Sequence, residues 1–213
     1  MPRKPSPRKS KSVGSRKTRP KAVMGPALQL LIGLDESEPL VWRRIVVPAT
    51  FTFWDLHMAI QNAMGWENYH LHIFECADSV TKRPREIGIP DPDLHHDKKT
   101  EPGWKVTIAP FFASAGDTAT YTYDFGDNWH HYIVLEAILT PPPTSALPTC
   151  ADGARACPPE DCGGIWGYQA IVKGELDAEM REWVGDYDPT KFEAAKVRFS
   201  DPAPVLKQIL EEY

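Results

Sequence analysis

Two polar segments concentrate the side chains able to do chemistry. The first, YTYDFGDNWHH at 121–131, sets Asp124, Asp127, Trp129 and His131 around a Gly-Asp-Asn turn. A carboxylate beside an imidazole is the arrangement of a general acid/base pair or of a metal-bound histidine, with Asp127 placed to orient the His131 ring. Asp and Asn are also the residues that tight turns need, so the acids have a conformational reading as well. The second segment, CADGARACPPEDCGG at 150–164, spaces Cys150, Cys157 and Cys162 as Cys-x6-Cys-x4-Cys beside Glu160 and Asp161. Three thiols are a candidate metal set, with zinc the expected ion and a fourth ligand drawn from His70, His72 or His131. The usual zinc knuckle is tighter and comes in matched pairs, and partly buried free cysteines in a Pro/Gly-shaped loop satisfy the same pattern. Cys162 has a further reading as a reactive thiol, because a helix expected from Trp166 would favour the thiolate while Glu160 and Asp161 oppose it.

His70 and His72 are two apart on an expected strand at 71–76, so both rings would project from one face. That spacing suits a shared ion, and it suits the polar outer face of a sheet equally well.

The elements that must position these residues are legible from periodicity. Runs at 27–34 and 40–47 flank the polar turn DESEP and read as a hairpin. Thr52 precedes Phe53, with Asp55 three residues on. Phe53, Leu56, Ala59, Ile60, Ala63 and Met64 then recur at helical spacing up to Gly65, which predicts a capped amphipathic helix. Residues 79–103 are polar, proline-bearing and aperiodic, and are expected to form a loop that could act as a lid. Further strands are expected at 104–110, 119–125 and 130–139, with Pro141 to Pro143 ending the sheet. Asp177 and Asp188 are candidate N-caps of C-terminal helices, with Pro189 at a first helical position and Met180, Trp183, Phe192, Ala195 and Phe199 facing inward. A last helix is expected at 205–213. Strands first and helices last predict α+β: a mostly antiparallel sheet of about five to six strands, one early helix and a C-terminal helical group.

Charge divides the chain. Arg3, Lys4, Arg8, Lys9, Lys11, Arg16, Lys17, Arg19 and Lys21 put nine cations and no acid into residues 1–22. With 24 basic and 29 acidic residues in all, the remainder holds 15 and 29, a net of −14. An arm so poor in apolar residues is expected to be disordered. It ends before a single expected domain at 24–213. The acidic body repels phosphate, so weak nucleic-acid contact is expected mostly through the arm or a local patch. No stretch approaches the roughly 20 apolar residues that cross a bilayer, and no secretory h-region is present. A cytoplasmic protein with reduced cysteines is therefore expected.

The segments YTYDFGDNWHHYIVLE, CADGARACPPEDCGGIWGYQ and EWVGDYDPTKF, together with LVWRRIVVPATFTFWDLHMAIQNAMGWENYHLHIFE, resemble the Ri-plasmid ORF-three-like family over roughly residues 27–200. Its domains also occur as passengers of some insertion sequences. The resemblance implies an α+β fold and a mobile-element setting, and transfers no activity. Its motif positions here are His70, His72, Asp124, Gly126, Asp127, Trp129 and His131, then Cys150, Pro158, Pro159, Glu160, Asp161, Gly163, Gly164, Gly167 and Tyr168. Three readings follow. The first is a binding or accessory module whose 124–131 turn and 150–164 loop meet in one polar, metal-capable site. The second is a hydrolase-type enzyme using His131 with Asp127 and a thiol or metal-bound water. The third is a nucleic-acid-associated protein tethered by its arm.

Overall fold

The computed structural model describes residues 25–90, 100–142 and 144–212. The basic arm at 1–22 and the His95-His96-Asp97 run lie outside them. Strand β1 (Ala27–Leu34) pairs antiparallel with β2 (Trp42–Pro48) as the expected hairpin. Helix α1 (Phe53–Met64) follows, closed at its start by a reciprocal capping box between Thr52 and Asp55 and at its end by left-handed Gly65. Strands β3 (His72–Ala77), β4 (Pro84–Gly88), β5 (Glu101–Pro102), β6 (Thr118–Tyr123), β7 (Trp129–Leu139) and β8 (Thr149–Ala154) complete one sheet in the order β5-β4-β3-β6-β7-β1-β2-β8. All neighbours are antiparallel except β4 and β5. Helices α2 (Gly164–Lys173), α3 (Ala178–Val184) and α4 (Ala203–Glu212) end the chain.

The architecture is α+β, but the expectation of five to six strands is corrected to an eight-stranded mixed sheet. Part of the 79–103 stretch is β4 and β5, whose pairing is reinforced by the Arg85–Glu101 ion pair. The prolines at 141–143 do not end the sheet, because β8 adds to the β2 edge. Conversely, 104–110 is not a sheet strand. Its alternation is real, with Ile108 buried, yet it is used locally: Val106 accepts from Phe53 N and Ile108 donates to Phe51 O, which ties the segment across the start of α1. Asp177 caps α3 through Met180 N at 2.8 Å. Asp188 instead accepts from Thr190 N in a turn, and only a short 3-10 turn follows at Ala194–Lys196. Met180 and Trp183 do not face inward as expected, since α3 has no buried residue.

Alternation along the strands sends one row of side chains into the core. Leu28, Leu30 and Ile32 of β1, Ile45 and Val47 of β2, Phe74 of β3 and Ile133 and Leu135 of β7 meet Phe53, Leu56 and Ile60 of α1. The pairings His72↔Tyr123, Tyr123↔Trp129, Tyr121↔His131 and His131↔Leu34 place a band of polar aromatics at one end of this inner face. Arg43 is buried in the same layer, donating to Ala63 O at the end of α1 and to Ala154 O of β8, under the Phe192 ring.

Candidate functional site

The turn between β6 and β7 is built by residues that tolerate left-handed backbone. Asp124 and Asn128 have φ of 54° and 57°, and Asn128 N donates to Asp124 O at 2.6 Å. Asp124 Oδ1 accepts from Gly126 N, closing an Asx turn at 2.9 Å. Its conformational role is thus met by one oxygen. The other, Oδ2, lies 3.7 Å from His70 Nε2.

The loop from β8 into α2 folds back on this turn. Gly163 N donates to Asp127 Oδ2 at 3.2 Å. Gly164, at φ 66°, lies so close to Asp127 that a Cβ there would sit 2.7 Å from the Asp127 carbonyl oxygen. Four residues before the helix, Glu160 accepts from Tyr123 OH at 3.1 Å and from Glu67 N at 2.9 Å. Burial raises the Glu160 carboxyl above its usual range. Asp161 Oδ1 reaches His70 Nε2 at 3.2 Å. The two polar segments therefore meet, with His70 between them.

His70, Asp124 and Asp161 each offer a donor atom, all within 4.8 Å of one another, and form the one group of metal-compatible geometry among the described residues. The three cysteines do not make such a group. Cys150 lies on β8, while Cys157 and Cys162 are buried. Burial pushes the Cys157 thiol far up and Cys162 up to about 12, with Asp127 and Asp161 adding to the latter, so neither is a ready thiolate. Position at the start of α2 does not outweigh that desolvation.

The expected His70–His72 pair is also not formed. His70 precedes β3 and turns to the carboxylates, whereas His72 points into the core and stacks on His57 with ring centroids 3.5 Å apart. Nor does Asp127 orient His131. His131 is 1% exposed, with Nδ1 against the carbonyls of Tyr121 and Trp129 and Nε2 without a partner. Burial lowers its pKa to about 4. Trp129 is buried against Trp66, its Nε1 likewise unpartnered. A hydrolytic unit of His131, Asp127 and a thiol is not assembled.

Sequence reasoning missed His57, although it lies one helical turn from Phe53 on the apolar face of α1. Tyr121 OH donates to His57 Nδ1 (2.8 Å), Nε2 faces Asn68 Oδ1 (2.6 Å), and Gln61 Nε2 donates to Tyr121 OH (3.0 Å). This closed network leaves the imidazole neutral, with its pKa lowered by burial to about 3. It fixes the loop at 66–70 that carries His70, because Gln61 Oε1 also accepts from Asn68 N.

Two clefts flank the His70 cluster. One, of about 510 Å³, is lined by Asp35, Glu36, Asp127, Gly163 and Trp166, the last 83% exposed. The other, of about 560 Å³, runs from Asp161 to α3 and includes Asp177, Glu179, Met180, Glu182 and Trp183. Among the described residues no helix is long and apolar enough to cross a membrane.

Residues 26–196 match the family described as plasmid pRiA4b ORF-3-like protein. The chain is 34% identical over 185 residues to the uncharacterized protein y4hQ of Sinorhizobium fredii, covering 84% of this chain and 89% of that one. It is 36% identical to the crystal structure of MM3350 from Methanosarcina mazei Go1, a protein of unknown function. That similarity covers 82% of this chain and 98% of the other, with a TM-score of 0.73.

Proposed function

Because the chain belongs to the plasmid pRiA4b ORF-3-like family, whose relatives above carry no stated activity, we propose a function from geometry: a binding module organised on a divalent-cation site. His70, Asp124 and Asp161 supply its protein ligands. The observation that carries this reading is the gathering of one imidazole and two carboxylate oxygens within 4.8 Å, around an Nε2 atom shielded from solvent and without an aligned hydrogen bond. Two aspartates balance the charge of a divalent ion. An N/O donor set of this kind suits zinc or a neighbouring borderline ion. Three protein ligands leave positions open, and such centres use them to hold water or a ligand group. The flanking clefts are the routes by which a ligand reaches those positions.

The test is calorimetric titration of chelator-treated protein with zinc chloride. One equivalent is expected to bind. Binding should be lost in His70→Ala and weakened in Asp161→Asn, whose side chain is 70% exposed and carries no core contact. It should persist in the Cys150→Ser, Cys157→Ser double variant. Undiminished binding in His70→Ala, or none in the parent protein, overturns the proposal.

A further inference from the structure

We propose that the basic segment at residues 1–22 docks on the acidic face that α3 leaves unpartnered, beside the His70 cluster. Helix α3 buries none of its residues. Its outer surface combines Asp177, Glu179 and Glu182 with Met180 and a Trp183 that is 51% exposed, and the cleft continues to Asp161. Arg181 is the single cation of this helix. Among the described residues none of these four carboxylates is paired with a lysine or arginine. The surface thus presents carboxylates around an aromatic ring, the chemistry that holds guanidinium and ammonium groups through charge and cation–π attraction.

The same chain supplies a segment of matching chemistry. Residues 1–22 hold nine lysines and arginines with no acid, against a net of −14 for the rest. Tethering makes the encounter intramolecular, so weak individual contacts add at a high effective concentration. Reach is sufficient. The described chain begins at Gly25, and Ala27 starts β1 at the end of the sheet away from Leu34. An eight-residue strand is about 26 Å long, while 24 residues can span at most about 80 Å. The other cleft, with Asp35, Glu36, Asp127 and Trp166, is likewise acidic and tryptophan-bearing. In the docked state the arm is withheld from other anions.

Zero-length carbodiimide cross-linking of the full chain, read by mass spectrometry, tests this directly. Cross-links from Lys4, Lys9, Lys11, Lys17 and Lys21 should concentrate on Asp161, Asp177, Glu179 and Glu182 and vanish at about 1 M salt, where the Debye length is about 3 Å. Removing two charges in Glu179→Gln, Glu182→Gln should lower the yield to the remaining pair of acids about fivefold. Because both side chains are exposed, the variant keeps its fold. Cross-links spread evenly over the surface carboxylates overturn the proposal. So do cross-links found only between isotopically light and heavy copies, which would place the arm on a second molecule. Absence of arm-to-α3 cross-links, with duplex DNA binding unchanged by the double variant, would make the arm a nucleic-acid tether and also overturn it.

Discussion

Lowering the pH from about 7.5 to about 5 is expected to remove about 4 kcal/mol of folding stability, through His57 and His131. Both rings are buried, and burial holds their folded pKa values to about 3 and about 4, against 6.5 for an exposed imidazole. A base whose folded pKa is depressed destabilises the fold on acidification, because the unfolded chain takes up the proton and the folded chain does not. Stability is therefore complete above pH 6.5 and falls as the pH drops toward about 4 and then about 3. At pH 5 each ring contributes about 1.4 × 1.5, or about 2 kcal/mol. That is a large part of the 5–15 kcal/mol typical of a domain. His72, also driven well below its ordinary value by burial, adds in the same direction. The carboxylates lowered by arginine pairing, Glu101 and Glu136, lose their contribution only below their ordinary range, and Glu160, raised by burial, acts with opposite sign. Urea unfolding at both pH values measures the difference. His131→Asn keeps an N–H for the Tyr121 and Trp129 carbonyls and removes the titration, so its pH dependence should be smaller by about 2 kcal/mol. Equal stability at the two pH values, or an unchanged dependence in the variant, would refute the reasoning.

Two further outcomes are expected. Gly167→Ala should destabilise by more than about 2 kcal/mol in thermal or urea unfolding, because a Cβ at that position would lie 1.8 Å from the Cys162 carbonyl, and backbone on both sides must move. Disulfide-exchange reagents at about pH 8 should modify half-buried Cys150 first and reach Cys76, Cys157 and Cys162 only in denaturant, since burial raises all of their pKa values; rapid labelling of Cys162 in the native protein would contradict the buried thiol.

The parts of this fold legible in the sequence are those whose partners lie close in the chain or whose buried face alternates with a polar one. Helix α1 announces itself through Thr52, Asp55 and Gly65, and the β1–β2 hairpin through its two apolar runs. Strand β8 gives no such signal: TCADGA, at the sheet edge, has no buried residue and carries no apolar alternation. Strands β4 and β5 are hidden because their pairing joins Ile87 to Glu101 across a polar stretch. At 104–110 the alternation was real but served a contact with residues 51–53. Asp188-Pro189 spends its capping chemistry on a turn.

For the site, the two polar segments were identifiable by composition, and the structure brings them together. The assignment of donors was not identifiable. Cysteine spacing suggested a thiol set, whereas the gathered atoms come from positions 70, 124 and 161, whose convergence depends on the turn at Asn128 and the Gly163-Gly164 approach. His57 escaped because a histidine on an apolar helical face reads as an interruption, not as the centre of a buried network.

Strand register also fixes the polarity of the molecule along β1. Ala27 stands opposite Leu139, and Leu34 opposite His131, so the chain enters the sheet at the end remote from both clefts. A fusion partner that replaces residues 1–24 and joins directly at Gly25 would therefore be separated from the histidine–aspartate end by the length of the strand.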